Sequence, residues 1–252
     1  MRKLCLLAAF ISPLACAQVV SVESNSLMRL PNNTSTLQLE RLDVADYGTL
    51  LIPSNVTEVT VGELHLGRDA RIAIVPGEQA LELKVSRAEL SEGSSITSRG
   101  APGTYQKAAR SGRNLNLQIK ALDAPMLSVD ARGGAGAPGF VGLDGAYGED
   151  PGCTWGQAGR GFNGSDGSDG QPGAAGALVR LEVPRSYPLE QIKVQVAGGA
   201  GGLAGPGGKP GKGGKAKGCL VYEADGGKSG RPGLDGQPGP AGAAGAVTIQ
   251  RL

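Results

Sequence analysis

Between Thr36 and Ser98, hydrophobic and polar residues alternate in short stretches, and this pattern repeats every 22 residues. Alternation of this kind is typical of a β-strand with one buried face. Each repeat contains three such stretches, which in the first repeat read LQL, LDV and LLI. A repeat of this length indicates a solenoid. At this spacing the corresponding residues are Leu37, Val59 and Leu81, followed by Leu39, Val61 and Leu83.

We therefore predict a parallel β-helix with three strands per turn, whose interior is a column of Leu, Val and Ile side chains. Strand-like stretches return further along the chain, at residues 115–119, 127–129, 178–183, 192–196 and 246–252. Three glycine-rich insertions separate these stretches, and each insertion begins after the third strand position of a turn. We expect all three insertions to leave the β-helix from one corner and to lie side by side.

The two longer insertions are hairpins in which glycine recurs at every third position. The first runs from Gly136 to Gly176 and the second from Gly199 to Gly245, and each loses its glycine phase once, around Cys153 or Cys219. Period three with Pro, Ala and Asp between the glycines predicts polyproline II helix. The limbs hold only five to seven triplets each and reverse at a cysteine. This favours a bundle within one chain over a collagen triple helix.

These patterns together predict an all-β fold, a short parallel β-helix with projecting glycine-rich polyproline II hairpins. The predicted boundaries are a signal peptide at 1–17, a β-helix platform at 18–132, hairpin one at 133–176, a further β-helix coil at 177–198, hairpin two at 199–245 and a terminal strand at 246–252.

The amino terminus, MRKLCLLAAFISPLACAQ, carries a basic pair, an apolar run and an Ala15-Cys16-Ala17 cleavage pattern. This is typical of a secretory signal peptide, so we expect export to the periplasm, the outer surface or the medium. An alternative is a lipoprotein in which Cys16 is the acylated first residue. No other long apolar run is present, which predicts no membrane span.

Cleavage at this site leaves Cys153 and Cys219 as the cysteines of the mature chain. An even pair in an oxidising compartment, with one member at each hairpin tip, predicts a disulfide that joins the two tips.

Charge supports the placement of the hairpins side by side. Hairpin one carries five acidic side chains against one basic, whereas hairpin two carries six basic against three acidic. Over the whole chain 25 Lys and Arg residues nearly balance 23 Asp and Glu residues, which favours neither nucleic acid nor an acidic membrane as partner.

The sequence offers little catalytic chemistry. The single histidine, His65, lies on an alternating strand between two inward-facing leucines and is predicted to face solvent. Metal-binding or nucleophile motifs with recognisable spacing are absent. We therefore predict that the protein is not an enzyme and uses no cofactor. Asp166 and Asp169, in GSDGSDG, are the weak candidates for calcium, with plain solvent exposure as the alternative.

Aromatic residues concentrate near the cysteines. Tyr147, Trp155 and Tyr222 are candidate ligand-binding residues, because exposed aromatic rings at a projecting tip stack on sugar rings or anchor protein contacts. The alternative is that the aromatic residues, above all Phe140 and Phe162, fill space around the disulfide and cap the bundle.

The Gly-X-Y hairpins resemble those of bacterial collagen-like secreted proteins, and the 22-residue repeats resemble the right-handed β-helix of pectate-lyase-like and adhesin proteins. The inferred bundle is similar to those of glycine-rich antifreeze proteins and of adhesins at some phage tail-fibre tips. These resemblances imply a secreted or cell-surface protein with a structural or adhesive role. Its bundle would serve either as a binding element or as a spacer. The expected partner is a glycan or a surface protein, and the expected state is a monomer or part of a surface assembly. A β-helix carbohydrate-active enzyme and an ice-binding protein are the alternatives.

Overall fold

The computed structural model describes residues 18–153 and 156–252, which form an all-β protein with parallel sheets. The predicted signal peptide, including Cys16, lies outside the described residues, and so does Trp155. No helix in the described part of the chain has the length and apolar character that crossing a membrane requires.

Residues 18–153 and 156–252 contain fifteen strands and one short 3₁₀ helix, Leu189–Gln191. In chain order the strands are β1 Val19–Val22, β2 Leu27–Arg29, β3 Thr36–Val44, β4 Thr49–Ile52, β5 Glu58–Leu66, β6 Arg71–Ile74, β7 Leu81–Leu90, β8 Ser95–Thr97, β9 Leu115–Asp123, β10 Leu127–Asp130, β11 Leu178–Val183, β12 Ile192–Gln195, β13 Lys217–Gly218, β14 Glu223–Ala224 and β15 Ala246–Arg251.

Two parallel sheets form what we call the platform, which comprises residues 18–132, 177–197 and 246–252. The seven-stranded sheet has the order β1-β3-β5-β7-β9-β11-β15, and the six-stranded sheet has the order β12-β10-β8-β6-β4-β2. Consecutive platform strands alternate between the two sheets, so each circuit of the chain adds one strand to each sheet.

The prediction of three separate strands per turn is wrong, because the first two stretches of each repeat belong to one strand. In β3 these stretches are LQL and LDV, joined through Glu40 and Arg41, and LLI lies in β4. Glu40 and Arg41 are both exposed, so the alternation of inward and outward residues breaks between them. The ladder between β3 and β5 nevertheless continues on either side of Glu40. The strand therefore turns a corner without ending.

The interior of the platform is a set of apolar columns that run across the sheets. In the strands from β3 to β11, most inward-facing residues are buried and partners in neighbouring strands stack on one another, whereas β2, β12 and β15 contain no buried residue. Burying each Leu, Ile or Val side chain contributes roughly 1.5–3 kcal/mol to stability. One column from the six-stranded sheet consists of Leu50, Ile72 and Ile96.

The 22-residue register holds only in the first turns. Leu37 pairs with Val59, 22 residues on, but Val59 pairs with Leu83 rather than with Leu81. The prediction that Leu83 shares a column with Leu39 and Val61 is therefore wrong. Two additional residues in the connection between β6 and β7 produce this shift. A shift of two leaves the same strand face inward, so the hydrophobic pattern alone does not reveal it.

A buried arginine, which sequence reasoning missed, anchors the start of β9. The guanidinium of Arg113 donates hydrogen bonds to the backbone carbonyls of Gln79 (2.8 Å), Pro53 (3.2 Å) and Val56 (2.6 Å). Arg113 is fully buried, and this burial lowers its pKa from the usual value. The side chain ties together three successive turns of the platform.

The three glycine-rich insertions leave from the same side of the platform, as predicted. They follow β8, β10 and β12, which are neighbours in the six-stranded sheet, and they return to β9, β11 and β15, which are neighbours in the other sheet. At this corner the Asp130 carboxylate accepts hydrogen bonds from the Arg132 guanidinium at 2.9 and 2.8 Å. Arg99, on the first insertion, lies 3.6 Å from the same carboxylate.

Candidate functional site

The two longer hairpins form a bundle of four extended limbs, which we call limb 1 (133–150), limb 2 (159–176), limb 3 (198–214) and limb 4 (226–245). Their glycine N–H groups donate hydrogen bonds to carbonyls of neighbouring limbs rather than within a limb. Gly139 of limb 1 donates to Leu203 of limb 3 (2.8 Å), and Gly205 of limb 3 donates to Ser168 of limb 2 (2.9 Å). The same pattern recurs at every third residue along the limbs. Each limb is therefore fastened to its neighbours along its length.

Close approach of the limbs requires glycine at these positions. A Cβ atom added at Gly139 would overlap the carbonyl of Ser168, and one added at Gly205 would overlap the carbonyl of Phe140. Any other residue would push the backbones apart and break the hydrogen bonds that they share.

Carboxylate and amide side chains in the third position of a triplet supply a second layer of contacts. Asp235 Oδ1 accepts the N–H of Gly207 in the antiparallel limb 3 (2.7 Å). In the other five contacts, Oδ1 accepts the backbone N–H of the residue that follows a glycine in the parallel neighbouring segment of hairpin two. The pairs are Asp144 with Lys209 (2.7 Å), Asp150 with Lys215 (2.7 Å), Asn163 with Arg231 (2.8 Å), Asp166 with Leu234 (2.7 Å) and Asp169 with Gln237 (2.7 Å).

Two of the positions that have no side-chain acceptor opposite them are occupied by proline. Limbs 1 and 3 are related by 65 residues, which places Val141 opposite Pro206; limbs 2 and 4 are related by 68 residues, which places Pro172 opposite Pro240. Proline has no backbone N–H, so no acceptor is needed there. Pro206 and Pro240 therefore leave no unpaired N–H group at these two positions.

The predicted disulfide is present. Cys153 and Cys219 are bonded, with Cα atoms 5.7 Å apart, and they join the ends of the two hairpins. Beside the bond, β13 and β14 form a small antiparallel hairpin, in which Cys219 donates its N–H to the carbonyl of Tyr222 (2.8 Å). Leu220 and Val221, in the turn of this hairpin, are fully exposed. We call residues 150–153 and 217–225 the tip.

An open cleft of about 1020 Å³ lies against the tip. The phenol of Tyr222 donates a hydrogen bond to the carbonyl of Gly152 (2.8 Å), which connects hairpin two to hairpin one, and part of the ring remains exposed in the cleft. The other polar side chains that line the cleft are Gln157, Glu223, Asp225 and Lys228. Donors, acceptors and an aromatic ring therefore converge at the end of the bundle.

Tyr147 lies in a different, smaller cleft of about 320 Å³ between limbs 1 and 3, with Asp144, Lys209, Pro210 and Lys212. Its lining shares no residue with the tip cleft, so the structure separates Tyr147 from Tyr222. The two lysines are site residues that sequence reasoning missed. The 65-residue register between limbs 1 and 3 places Lys212 opposite Tyr147, and the structure rather than the sequence defines this register.

Phe140 and Phe162 do not fill space around the disulfide, so that interpretation is wrong. Both rings are mostly exposed, and the ring of Phe140 stacks on Tyr105 of the first insertion, with centroids 4.4 Å apart.

The opposite net charges of the two hairpins do not act through direct ion pairs. Within residues 18–153 and 156–252, the ion pairs shorter than 4.0 Å lie on the platform and its corner. The five aspartates of the limbs accept backbone N–H groups instead, and this includes one oxygen each of Asp166 and Asp169. No group of three or more potential metal ligands occurs in the described part of the chain. His65 lies on the outside of β5, with Nδ1 at 2.9 Å from the Glu89 carboxylate.

Comparison of the chain with protein-family profiles, with curated proteins and with solved structures gives no match.

Proposed function

We propose that this chain is a secreted or cell-surface adhesive protein, in which a short right-handed parallel β-helix is the platform and a polyproline II bundle is the arm that presents the binding surface. Two parallel sheets whose strands alternate along the chain support the β-helix. The use of every third residue as a contact between limbs supports polyproline II, which has three residues per turn.

The observation that carries the proposal is the combination of a fastened arm with an exposed apolar and polar tip. A spacer needs length alone, and flexible glycine-rich segments provide it. This bundle is instead hydrogen-bonded at every triplet and closed by a disulfide. At about 3.1 Å per residue, its limbs reach roughly 50 Å from the platform. A preorganised arm lowers the entropic cost of binding at its end.

The tip has the composition of a contact surface. Leu220 and Val221 are fully exposed, and the cleft beside them holds Tyr222 with charged residues at its edge. Apolar and aromatic side chains in the centre with polar groups around them are typical of recognition sites. The proposed partner is a glycan or a protein on a cell surface.

The collagen-like resemblance implies a different assembly, a trimer of chains. We propose a monomeric bundle, because the glycine N–H groups find their acceptors within one chain. Analytical ultracentrifugation of the mature protein tests this. A monomer supports the bundle, and an obligate trimer with a collagen-type melting transition contradicts it.

Binding of the full-length mature chain to an array of glycans and surface proteins tests the adhesive function. We expect retention of a ligand without release of product, whereas an enzyme would release product. The double variant Leu220→Ser/Val221→Ser should reduce binding by about tenfold or more, because anchor residues carry much of an interface's affinity. The control is Leu203→Ser, an exposed leucine partway along limb 3. Unchanged binding by the tip variant, or accumulation of product, would contradict the proposal.

A further inference from the structure

The cleft around Tyr147 is built by the packing of two limbs rather than by one local motif. Limb 1 supplies Asp144 and Tyr147, and limb 3 supplies Lys209, Pro210 and Lys212. The hydrogen bond from the N–H of Lys209 to Asp144 Oδ1 fixes the relative position of the limbs at this point. The geometry of the cleft is therefore set before any ligand arrives.

The ring of Tyr147 is available for contact. It is 72% exposed although it sits within a cleft, so neither limb covers it. Its neighbour Pro210 provides a second apolar ring at the same site. Flat apolar surfaces of this kind stack on the C–H face of a pyranose.

The cleft also has an excess of positive charge. Its lining includes Lys209 and Lys212 against one acidic residue, Asp144, and one carboxylate oxygen of Asp144 already accepts a backbone N–H. Among residues 18–153 and 156–252, neither lysine has a carboxylate partner within 4.0 Å. Two cations without partners beside an exposed aromatic ring suit a ligand that joins an apolar ring face to an anionic group.

We propose that this cleft is a binding site for a carboxylated sugar of the uronic acid class. The pyranose ring stacks on Tyr147, its carboxylate pairs with Lys209 and Lys212, and the free oxygen of Asp144 accepts a hydroxyl. The site lies apart from the tip cleft and goes beyond the proposed adhesive function, because it assigns a ligand class to a second surface of the arm.

The test is calorimetric titration of the disulfide-bonded full-length mature chain with two sugars, methyl glucuronide and methyl glucoside. They differ only at C6, which is a carboxylate in the first and a hydroxymethyl group in the second. We expect methyl glucuronide to bind about fivefold to twenty-fold more tightly, since each exposed ion pair changes affinity by up to about fivefold. Added salt should reduce this preference. Equal affinities for the two sugars, or no binding of methyl glucuronide, would overturn the proposal.

Three variants separate the contributions. Tyr147→Ala should abolish binding of both sugars, whereas Tyr147→Phe should retain it, because stacking needs the ring and not the hydroxyl. Lys212→Gln should weaken the binding of methyl glucuronide by up to about fivefold and leave that of methyl glucoside unchanged, because Lys209 still provides one ion pair. The matched control is Lys120→Gln, an exposed lysine of β9 on the platform, which should change nothing.

The outcome is distinguishable from that of the tip experiment. If ligand retention on the array depends on Leu220 and Val221 but methyl glucuronide does not bind, the inference about the Tyr147 cleft fails and the adhesive function stands. If methyl glucuronide binds through Tyr147 while the tip variant retains its array ligand, the role of the tip fails and this inference stands.

Discussion

The Oδ1 atom of Asp166 accepts the backbone N–H of Leu234, 68 residues further along the chain, at 2.7 Å. Its partner is a backbone group of the oppositely charged hairpin and not a lysine. The aspartates of the limbs therefore act as acceptors for N–H groups that an extended limb leaves unpaired, and their position along the limb specifies the register.

Replacing Asp166 by Ala should destabilise the bundle, because the N–H of Leu234 loses its protein acceptor. A hydrogen bond of this kind is worth about 1 kcal/mol, or a fall of about 3 °C in the thermal midpoint. Asp166→Asn keeps a carbonyl oxygen at the same position, so its thermal midpoint should fall by less than half as much. Thermal unfolding monitored by circular dichroism measures both variants. Equal losses in the two variants would show that charge, rather than the hydrogen bond, is what matters.

Gly205→Val should disrupt the bundle, because its Cβ would overlap the Phe140 carbonyl. The expected cost is several kcal/mol, since two backbones must separate. Leu203→Val, two residues earlier on the same limb, is the matched control, because that side chain is mostly exposed. Amide hydrogen exchange should show faster exchange along limbs 1 to 4 in the glycine variant only. Equal tolerance of the two changes would mean that the limbs are flexible linkers.

Leu83→Asp should unfold the platform. Leu83 is 1% exposed and lies in the column with Leu37 and Val59, so the change buries an unpaired carboxylate. The cost, several kcal/mol, is comparable with the stability of a whole domain. Ser86→Asp, at an exposed position of the same strand, should leave the thermal midpoint nearly unchanged. A folded Leu83→Asp protein with an unaltered midpoint would contradict this register.

Loss of the disulfide should loosen the bundle before the platform. The bond closes a loop with a sequence separation of 66 residues and constrains the unfolded chain by about 4 kcal/mol. In the double variant Cys153→Ser/Cys219→Ser, amides of the limbs should therefore exchange faster while those of β3, β5 and β7 keep their protection. Simultaneous loss of protection in both regions would show that the bundle and the platform unfold as one unit.

Acid should weaken the corner through Asp130. Burial of this carboxylate opposes ionisation, but hydrogen bonds from Arg132 and the charges of Arg132 and Arg99 outweigh it and lower the pKa below 3.8. A lowered pKa in the folded state contributes stability that is fully present above about pH 4 and is lost as the pH falls through the folded value.

Thermal midpoints of the natural protein and of Asp130→Asn, measured from pH 7 to pH 2, test this contribution. The variant should be less stable at pH 7, and the difference should shrink below pH 4. A constant difference over the whole range would exclude ionisation of Asp130 as its source.

The position of the disulfide could be predicted from sequence because two independent signals coincide. The glycine repeat of each hairpin is interrupted once, and each interruption contains a cysteine. The common corner of the insertions followed from the order of the strands, which does not depend on their exact register.

Other features could not be predicted because the sequence carries no pattern for them. The 24-residue spacing between Val59 and Leu83 keeps the inward face inward, so it resembles a 22-residue repeat. A buried Arg113 is unusual, and its three carbonyl partners come from distant connections. The pairing of Tyr147 with Lys212 requires the register of two limbs, which only the assembled bundle defines.

The hydrogen bonds between neighbouring limbs have a mechanical consequence for an arm that is pulled from its end. Tension on the tip runs along the limbs, whereas the hydrogen bonds between them lie across that direction. These hydrogen bonds are then loaded in shear, so many of them must break together rather than one after another. The bond between Cys153 and Cys219 prevents either hairpin from being drawn out alone. Such an arm transmits a sustained load to the platform, where the force enters at the corner held by Asp130 and Arg132.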